Sequence, residues 1–165
     1  HFSGGLVVGC IMIIYTIIIN FSGLGADKTL GYINYVFLIG GIIYFITAYG
    51  KSVDHTASFG SLFTFGFKMS ALITIIVVAF QVIFFLIFPE FKEKIFDAAH
   101  DAMVKKPNIT EEQIEMGMTA VKKFFWIIVV GGSVFGLVFV GALASLIGAG
   151  ITKKRPQSPF HPTVQ

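Results

Sequence analysis

A helix-start motif followed by a long stretch without proline constrains this chain most strongly. Thr110 precedes a Glu-Glu-Gln run that ends at Gln113, which is the pattern of a capping box. No proline follows until Pro156, so the spacing predicts one helix from Ile109 to Arg155. Such a helix would measure roughly 60 Å, whereas the hydrocarbon core of a bilayer is about 30 Å thick. We therefore expect it to begin outside a membrane and then to cross it.

The composition is that of a membrane protein. Hydrophobic residues make up 55% of the chain and charged residues only 13%, whereas a soluble domain carries roughly 25% charged residues. Three further apolar runs are each long enough to cross a bilayer. The sequence therefore predicts an all-α polytopic membrane protein, with residues 1–155 forming a single membrane domain. The four transmembrane helices are expected at residues 3–21, 30–49, 62–88 and 124–151.

Residues 89–123 are expected to form an extramembrane helical hairpin between the third and fourth spans. From Pro89 to Val104, apolar side chains alternate with charged ones at the spacing of an amphipathic helix. The run is too polar to span a membrane and is interrupted at Pro107. We therefore expect it to fold back against the start of the helix that follows.

The motifs and charges do not indicate catalysis, and we predict that the protein is not an enzyme. The predicted spans contain no acidic residue, and the chain has no HExxH motif, serine elbow or phosphate loop. Asp97, His100 and Asp101 have the spacing of adjacent metal ligands on a helix, but a solvated helix face explains them, so we predict no metal and no cofactor. A net charge of +3 makes nucleic acid an unsuitable partner.

Small residues in the fourth span are spaced for close contact with other helices. Gly132 and Gly136 share one helical face, while Gly141, Ser145 and Gly148 share nearly the opposite face. Small residues let helix backbones approach each other in membranes. We therefore predict that all five are helix-packing positions and that this helix has neighbours on two sides.

The third span carries polar residues within an apolar segment. Ser70, Thr74 and Gln81 fall on one helical face, roughly opposite Lys68. We interpret the three as interhelical hydrogen-bonding groups and Lys68 as a side chain that reaches the membrane interface. The alternative is that all four form an intramembrane polar site on a transport path.

Basic residues predict the orientation in the membrane. Lys51 lies in the loop between the second and third spans, and Lys153, Lys154 and Arg155 follow the fourth span. The positive-inside rule makes this side cytoplasmic. Both termini are then cytoplasmic and the hairpin is periplasmic.

The last ten residues form a proline-rich cytoplasmic tail. Residues 156–165 include Pro156 and Pro159, and Phe160 is their only large side chain. This composition cannot form a helix or bury much apolar surface. We predict that the tail binds a partner subunit, with Phe160 as its anchor.

Several short motifs carry a resemblance to a known family. They are Leu30-Gly31-Tyr32, Gly60-Ser61 ahead of Gly66 and Lys68, Pro89 with Phe91, the TEEQIE run from Thr110, and Ser145-Leu146-Ile147 ahead of Lys153-Lys154. Together they resemble the bacterial four-helix inner-membrane family called domain of unknown function family 4199, most frequent in Bacteroidetes. The resemblance implies a four-span topology in a bacterial inner membrane and implies no activity.

Two classes of function remain open. In the first, the protein is a non-catalytic accessory or scaffold subunit of a larger inner-membrane complex, in contact with membrane lipids and other integral membrane subunits. In the second, it is a small transporter or channel that uses the polar face of span three. An ion-coupled transporter usually has a buried carboxylate or interrupted helices, and neither is visible in the sequence.

Overall fold

The computed structural model describes residues 1–25 and 27–154, and its regular elements are all helical. The elements are α1 (Phe2–Phe21), α2 (Lys28–Ser52), α3 (Phe59–Ile87), α4 (Pro89–Val104), α5 (Glu111–Lys123), a π-helical segment (Ile127–Gly131) and α6 (Gly132–Ile151). Among the described residues, α1, α2, α3 and the stretch Ile127–Ile151 are long and apolar enough to cross a membrane. The chain is an all-α polytopic membrane protein, which confirms the predicted fold class.

The four spanning helices form one bundle, with α6 packed on α3 and α2, and α1 packed on α3. Its core contains fully buried aliphatic side chains, including Ile42 of α2 and Ile73 of α3. Gly5 and Gly9 allow α1 to approach α3, because a Cβ at Gly5 would lie 2.8 Å from the Leu72 side chain. The bundle is therefore closely packed around its centre.

The capping box at Thr110 is confirmed, but the single helix predicted from Ile109 to Arg155 is wrong. Thr110 Oγ1 accepts the Gln113 N–H at 3.3 Å, and the Thr110 N–H donates to Gln113 Oε1 at 3.1 Å. Helix α5 then ends at Lys123.

The break between α5 and the fourth span lies at Phe124, whose φ of −100° and ψ of 13° interrupt the helix. The next residue, Phe125, is only 2% exposed and packs edge-on against Phe85 of α3 and Phe96 of α4. A straight continuation would keep one helical phase through both segments. The break changes that phase, and Phe125 can insert between α3 and α4.

Helices α4 and α5 form the hairpin between the third and fourth spans. Met103 packs beside Gly117, where a Cβ would lie 2.9 Å from the Met103 sulfur. The Lys92 ammonium lies 5.0 Å from the centroid of the Phe125 ring and 5.8 Å from that of Trp126. These cation–π contacts attach α4 to the start of the fourth span.

Candidate functional site

A cavity of about 560 Å³ lies between the helices at the hairpin end of the bundle. Small-molecule sites in proteins typically measure about 300–1,000 Å³. Much of the wall is apolar and comes from α3, through Val77, Phe80, Phe84 and Phe85. Helices α1, α2 and α6 and the loop between α1 and α2 also line the cavity, and α4 borders it with one face. The lining residues of α4 are Phe91, Lys94, Ile95 and Ala98.

A hydrogen-bonded polar group joins α1 and α2 beside this cavity. The Thr16 hydroxyl donates to the Met12 carbonyl at 2.8 Å and accepts from Asn34 Nδ2 at 3.1 Å. Asn20 Nδ2 donates to the Thr16 carbonyl at 2.8 Å. All four residues line the cavity, so it combines amide and hydroxyl groups with an aromatic wall.

Two amide oxygens are buried beside the cavity without a partner. Asn34 Oδ1 and Gln81 Oε1 accept no hydrogen bond from the described part of the chain. In the structure, the Thr16 hydroxyl donates its proton to the Met12 carbonyl and accepts from Asn34 Nδ2, and this arrangement turns Asn34 Oδ1 away from Thr16. An unsatisfied buried acceptor costs about 1–3 kcal/mol. The cavity therefore favours a ligand that donates hydrogen bonds.

The charged group among the described lining residues is Lys94 of α4. Its Nζ lies 4.6 Å from the centroid of the Phe91 ring, which also borders the cavity. The other polar lining side chains that the structure describes are Thr16, Asn20, Asn34, Tyr35, Gln81 and Ser133. These are hydrogen-bonding groups rather than carboxylates, imidazoles or thiols, so their chemistry is that of binding and orientation.

The structure separates the residues of the candidate intramembrane polar site. Lys68 is exposed on the outer surface of α3. Ser70 and Thr74 are buried in the core, where Ser70 Oγ donates to the Leu137 carbonyl at 3.5 Å and Thr74 Oγ1 donates to the Ser70 carbonyl at 2.9 Å. Only Gln81 of the four lines the cavity.

Three of the predicted packing residues of α6 lie where the helices are closest. A Cβ on Gly141 would overlap Ser70 Oγ, and a Cβ on Gly148 would lie 2.8 Å from an α2 side chain. Ser145 is fully buried, and its Oγ lies 2.7 Å from the position that a Cβ on Gly66 would take. These small residues bring α6 onto both α3 and α2.

The other predicted sites have fewer neighbours. A Cβ on Gly136 would lie 3.0 Å from the Tyr35 hydroxyl, whereas a Cβ on Gly132 would meet nothing within 4 Å. On the face that these two glycines share, Gly136 therefore lies against α2, whereas Gly132 has no close neighbour in the described part of the chain. The predicted tail residues Pro156, Pro159 and Phe160 lie outside the described residues.

Sequence reasoning missed most of the polar groups around the cavity. Thr16 and Asn20 are four residues apart and so share a face of α1, which is a signal that the pattern offers. Asn34 is an amide within an otherwise apolar span, as Gln81 is in α3. Their convergence depends on how α1, α2 and α3 pack, and the chain order of these residues does not indicate it.

A comparison with known proteins agrees with the motifs. A family model described as protein of unknown function (DUF4199) matches residues 4–154, which include nearly all of the described chain. No curated protein and no solved structure shows a significant match. The resemblance drawn from the sequence motifs is thereby confirmed, and the chain belongs to the DUF4199 family of proteins of unknown function.

Proposed function

We propose that this protein is a non-catalytic accessory subunit of a larger bacterial inner-membrane complex and that it holds an amphiphilic molecule between its helices. The observation that supports the binding role is the cavity at the hairpin end of the bundle. Its aromatic wall suits an apolar group, and its two unpartnered amide oxygens suit a hydrogen-bond donor. An amphiphile supplies both.

The chemistry of the lining supports binding over catalysis. Acid–base catalysis uses side chains whose pKa can be matched to the reaction, most often histidine or a carboxylate. A hydroxyl nucleophile needs an adjacent base. The described lining residues supply amides, hydroxyls and one ammonium. These groups orient a ligand without transforming it.

The placement of basic residues supports the proposed orientation. His55 Nδ1 and the Lys153 carbonyl lie 2.8 Å apart, and Lys154 Nζ lies 5.0 Å from the centroid of the Phe59 ring. The basic end of the fourth span therefore packs on the segment that follows the last turn of α2, which carries Lys51. We propose that this end faces the bacterial cytoplasm with both termini, so that the hairpin and the cavity face the periplasm.

The accessory role also requires a surface for a partner. The open face around Gly132 is available to a helix of another subunit, and residues 156–165 have the composition of a segment that becomes ordered on a partner. We propose other integral membrane subunits as the partners, within a shell of membrane lipids.

Transport through span three is the second candidate, because Gln81 of that span lines the cavity. Below the cavity the bundle is filled by buried side chains, among them Met69 and Ile73. Ser70 and Thr74 lie within this packed region. A path across the membrane would require the core to open, so binding is the better-supported function.

Filling the cavity tests the proposal. Gly31 lines the cavity, and a Cβ there would meet nothing within 4 Å. Gly31→Phe should therefore remove the copurifying amphiphile detected by native mass spectrometry in lipid nanodiscs. Gly40→Phe is the matched control, because Gly40 belongs to the same helix, has open space and lies outside this cavity.

The same preparations test the accessory role and the transport alternative. A second integral membrane protein should copurify in stoichiometric amount with the wild type. Purification of a monomer without partner would contradict the accessory role, and an equal amount of bound amphiphile in both glycine variants would contradict the binding role. If vesicles that contain the wild-type protein show solute flux and vesicles that contain Gly31→Phe do not, transport would be favoured.

A further inference from the structure

Lys94 gives one end of the cavity a positive charge. It lies on α4, beyond the end of α3, and shares a helical face with Phe91 and Ala98. Among the described residues it takes part in no ion pair, and its ammonium rests against an aromatic ring. A cation in this position favours an anionic group at the hairpin end of a ligand.

The unpartnered acceptors lie deeper in the bundle. Asn34 is six residues inside the first residue of α2, and Gln81 is six residues before the last residue of α3. At 1.5 Å per residue, both amides lie about 9 Å below the helix ends. Their oxygens favour hydroxyl or amide donors on the part of a ligand next to its anionic group.

The wall between these polar levels is aromatic. Phe80, Phe84 and Phe85 of α3 and Ile95 of α4 border the cavity. The cavity volume of about 560 Å³ suits one small amphiphile rather than a bulky multi-chain lipid. From the hairpin inwards, the cavity therefore presents a cation, the aromatic wall, the two hydrogen-bond acceptors and then the apolar side chains of Met12, Val77 and Leu137.

On the basis of the proposed binding function, we propose that the cavity takes a single-chain phosphate amphiphile with free hydroxyl groups, the chemistry of a lysophospholipid. The phosphate lies at Lys94 and the hydroxyls donate to Asn34 Oδ1 and Gln81 Oε1, between the phenylalanines of α3. The chain continues inwards against Met12, Val77 and Leu137. Each chemical group of this ligand is matched by one kind of group in the wall of the cavity.

Four probes separate the parts of the ligand in binding measurements on the purified protein. Lysophosphatidylglycerol has the phosphate, hydroxyls and chain; monoacylglycerol lacks the phosphate, dodecyl phosphate lacks the hydroxyls, and glycerol 3-phosphate lacks the chain. We expect lysophosphatidylglycerol to bind about tenfold more tightly than dodecyl phosphate or glycerol 3-phosphate, which lack the donors or the chain. Its advantage over monoacylglycerol should be only a few-fold, because Lys94 is exposed and solvent screens its attraction for a phosphate.

Two variants assign these differences to residues. Lys94→Gln should abolish the preference for lysophosphatidylglycerol over monoacylglycerol, whereas Lys105→Gln, at an exposed position on the same hairpin, should keep it. Gln81→Leu should abolish most of the preference over dodecyl phosphate while leaving the Tm of the ligand-free protein unchanged or higher, because it removes an unsatisfied buried amide. Thr64→Val, at an exposed position of α3, is its control.

The outcomes distinguish this inference from the function on which it rests. Suppose that amphiphiles bind, but that Lys94→Gln keeps the preference over monoacylglycerol or Gln81→Leu keeps the preference over dodecyl phosphate. The proposed ligand class is then wrong, while the binding function stands. If glycerol 3-phosphate binds as tightly as lysophosphatidylglycerol, the cavity binds a soluble organic phosphate instead of a lipid. If none of the four probes binds the wild type, this inference fails, and loss of the copurifying amphiphile in Gly31→Phe remains the separate test of the function.

Discussion

The contact between Gly141 and Ser70 gives the most direct test of how the bundle is held together. A Cβ added to Gly141 would overlap Ser70 Oγ and would lie 2.6 Å from Ser70 Cβ. A rotation of the Ser70 side chain can move its oxygen, but its Cβ is attached to the backbone. Gly141→Ala can therefore be accommodated only if α3 and α6 move apart.

Two opposing effects determine the size of the change. Overpacking by one methyl group in a close-packed core costs about 1–3 kcal/mol. Alanine in a helix interior is more favourable than glycine by about 0.5–1 kcal/mol. We expect Gly141→Ala to lower the free energy of unfolding by about 0.5–2 kcal/mol, measured by thermal unfolding of the purified protein in lipid nanodiscs.

Gly132→Ala is the matched control on the same helix. A Cβ at Gly132 meets nothing within 4 Å, so only the gain in helix propensity remains and the Tm should stay the same or rise. Combining Gly141→Ala with Ser70→Gly should recover part of the loss, because the second change removes the overlapping side chain.

Two results would refute this reasoning about the α3–α6 contact. One is a Gly141→Ala variant as stable as the wild type. The other is a double variant in which the two losses simply add, which would show that residues 70 and 141 do not meet. A destabilised Gly132→Ala variant would instead indicate a helix from another subunit on the open face of α6.

Three further predictions concern orientation, transport and assembly. A cysteine at position 100, in a background without Cys10, should react with an impermeant maleimide in intact cells; reaction only after lysis would place the hairpin in the cytoplasm. Lys68→Met should leave amphiphile binding and copurification unchanged, because Lys68 is exposed on the outer surface of α3; loss of a cellular phenotype with the protein abundant and assembled would favour transport. Deletion of residues 157–165 should leave the four spans folded, as judged by Tm, but reduce copurification of the partner; unchanged stoichiometry would exclude a role of the tail in assembly.

The features that the sequence predicts well are those encoded locally. The capping box depends on residues three positions apart, and the backbone and side chains of Thr110 and Gln113 are enough to form it. The spanning helices follow from uninterrupted apolar length. Neither feature requires knowledge of which helices are neighbours.

The features that the sequence does not predict depend on contacts between distant segments. The helix break at Phe124 accompanies the insertion of Phe125 between α3 and α4, and nothing in the local residues marks it. The cavity likewise requires Asn34 and Gln81 from different helices to border one space. Helical spacing on α3 grouped Gln81 with Ser70, although packing against α6 places one beside the cavity and the other in the core.

The break at Phe124 also has a mechanical consequence. An unbroken helix through the hairpin and the fourth span would act as a stiff rod, so that any tilt of the hairpin would turn the membrane helix with it. With the rod divided, the hairpin is joined to the fourth span through side-chain contacts, those of Lys92 with Phe125 and Trp126, rather than through one continuous helix. Since α4 forms one border of the cavity, the proposed ligand would act on the fourth span through these side-chain contacts and not by tilting a continuous helix.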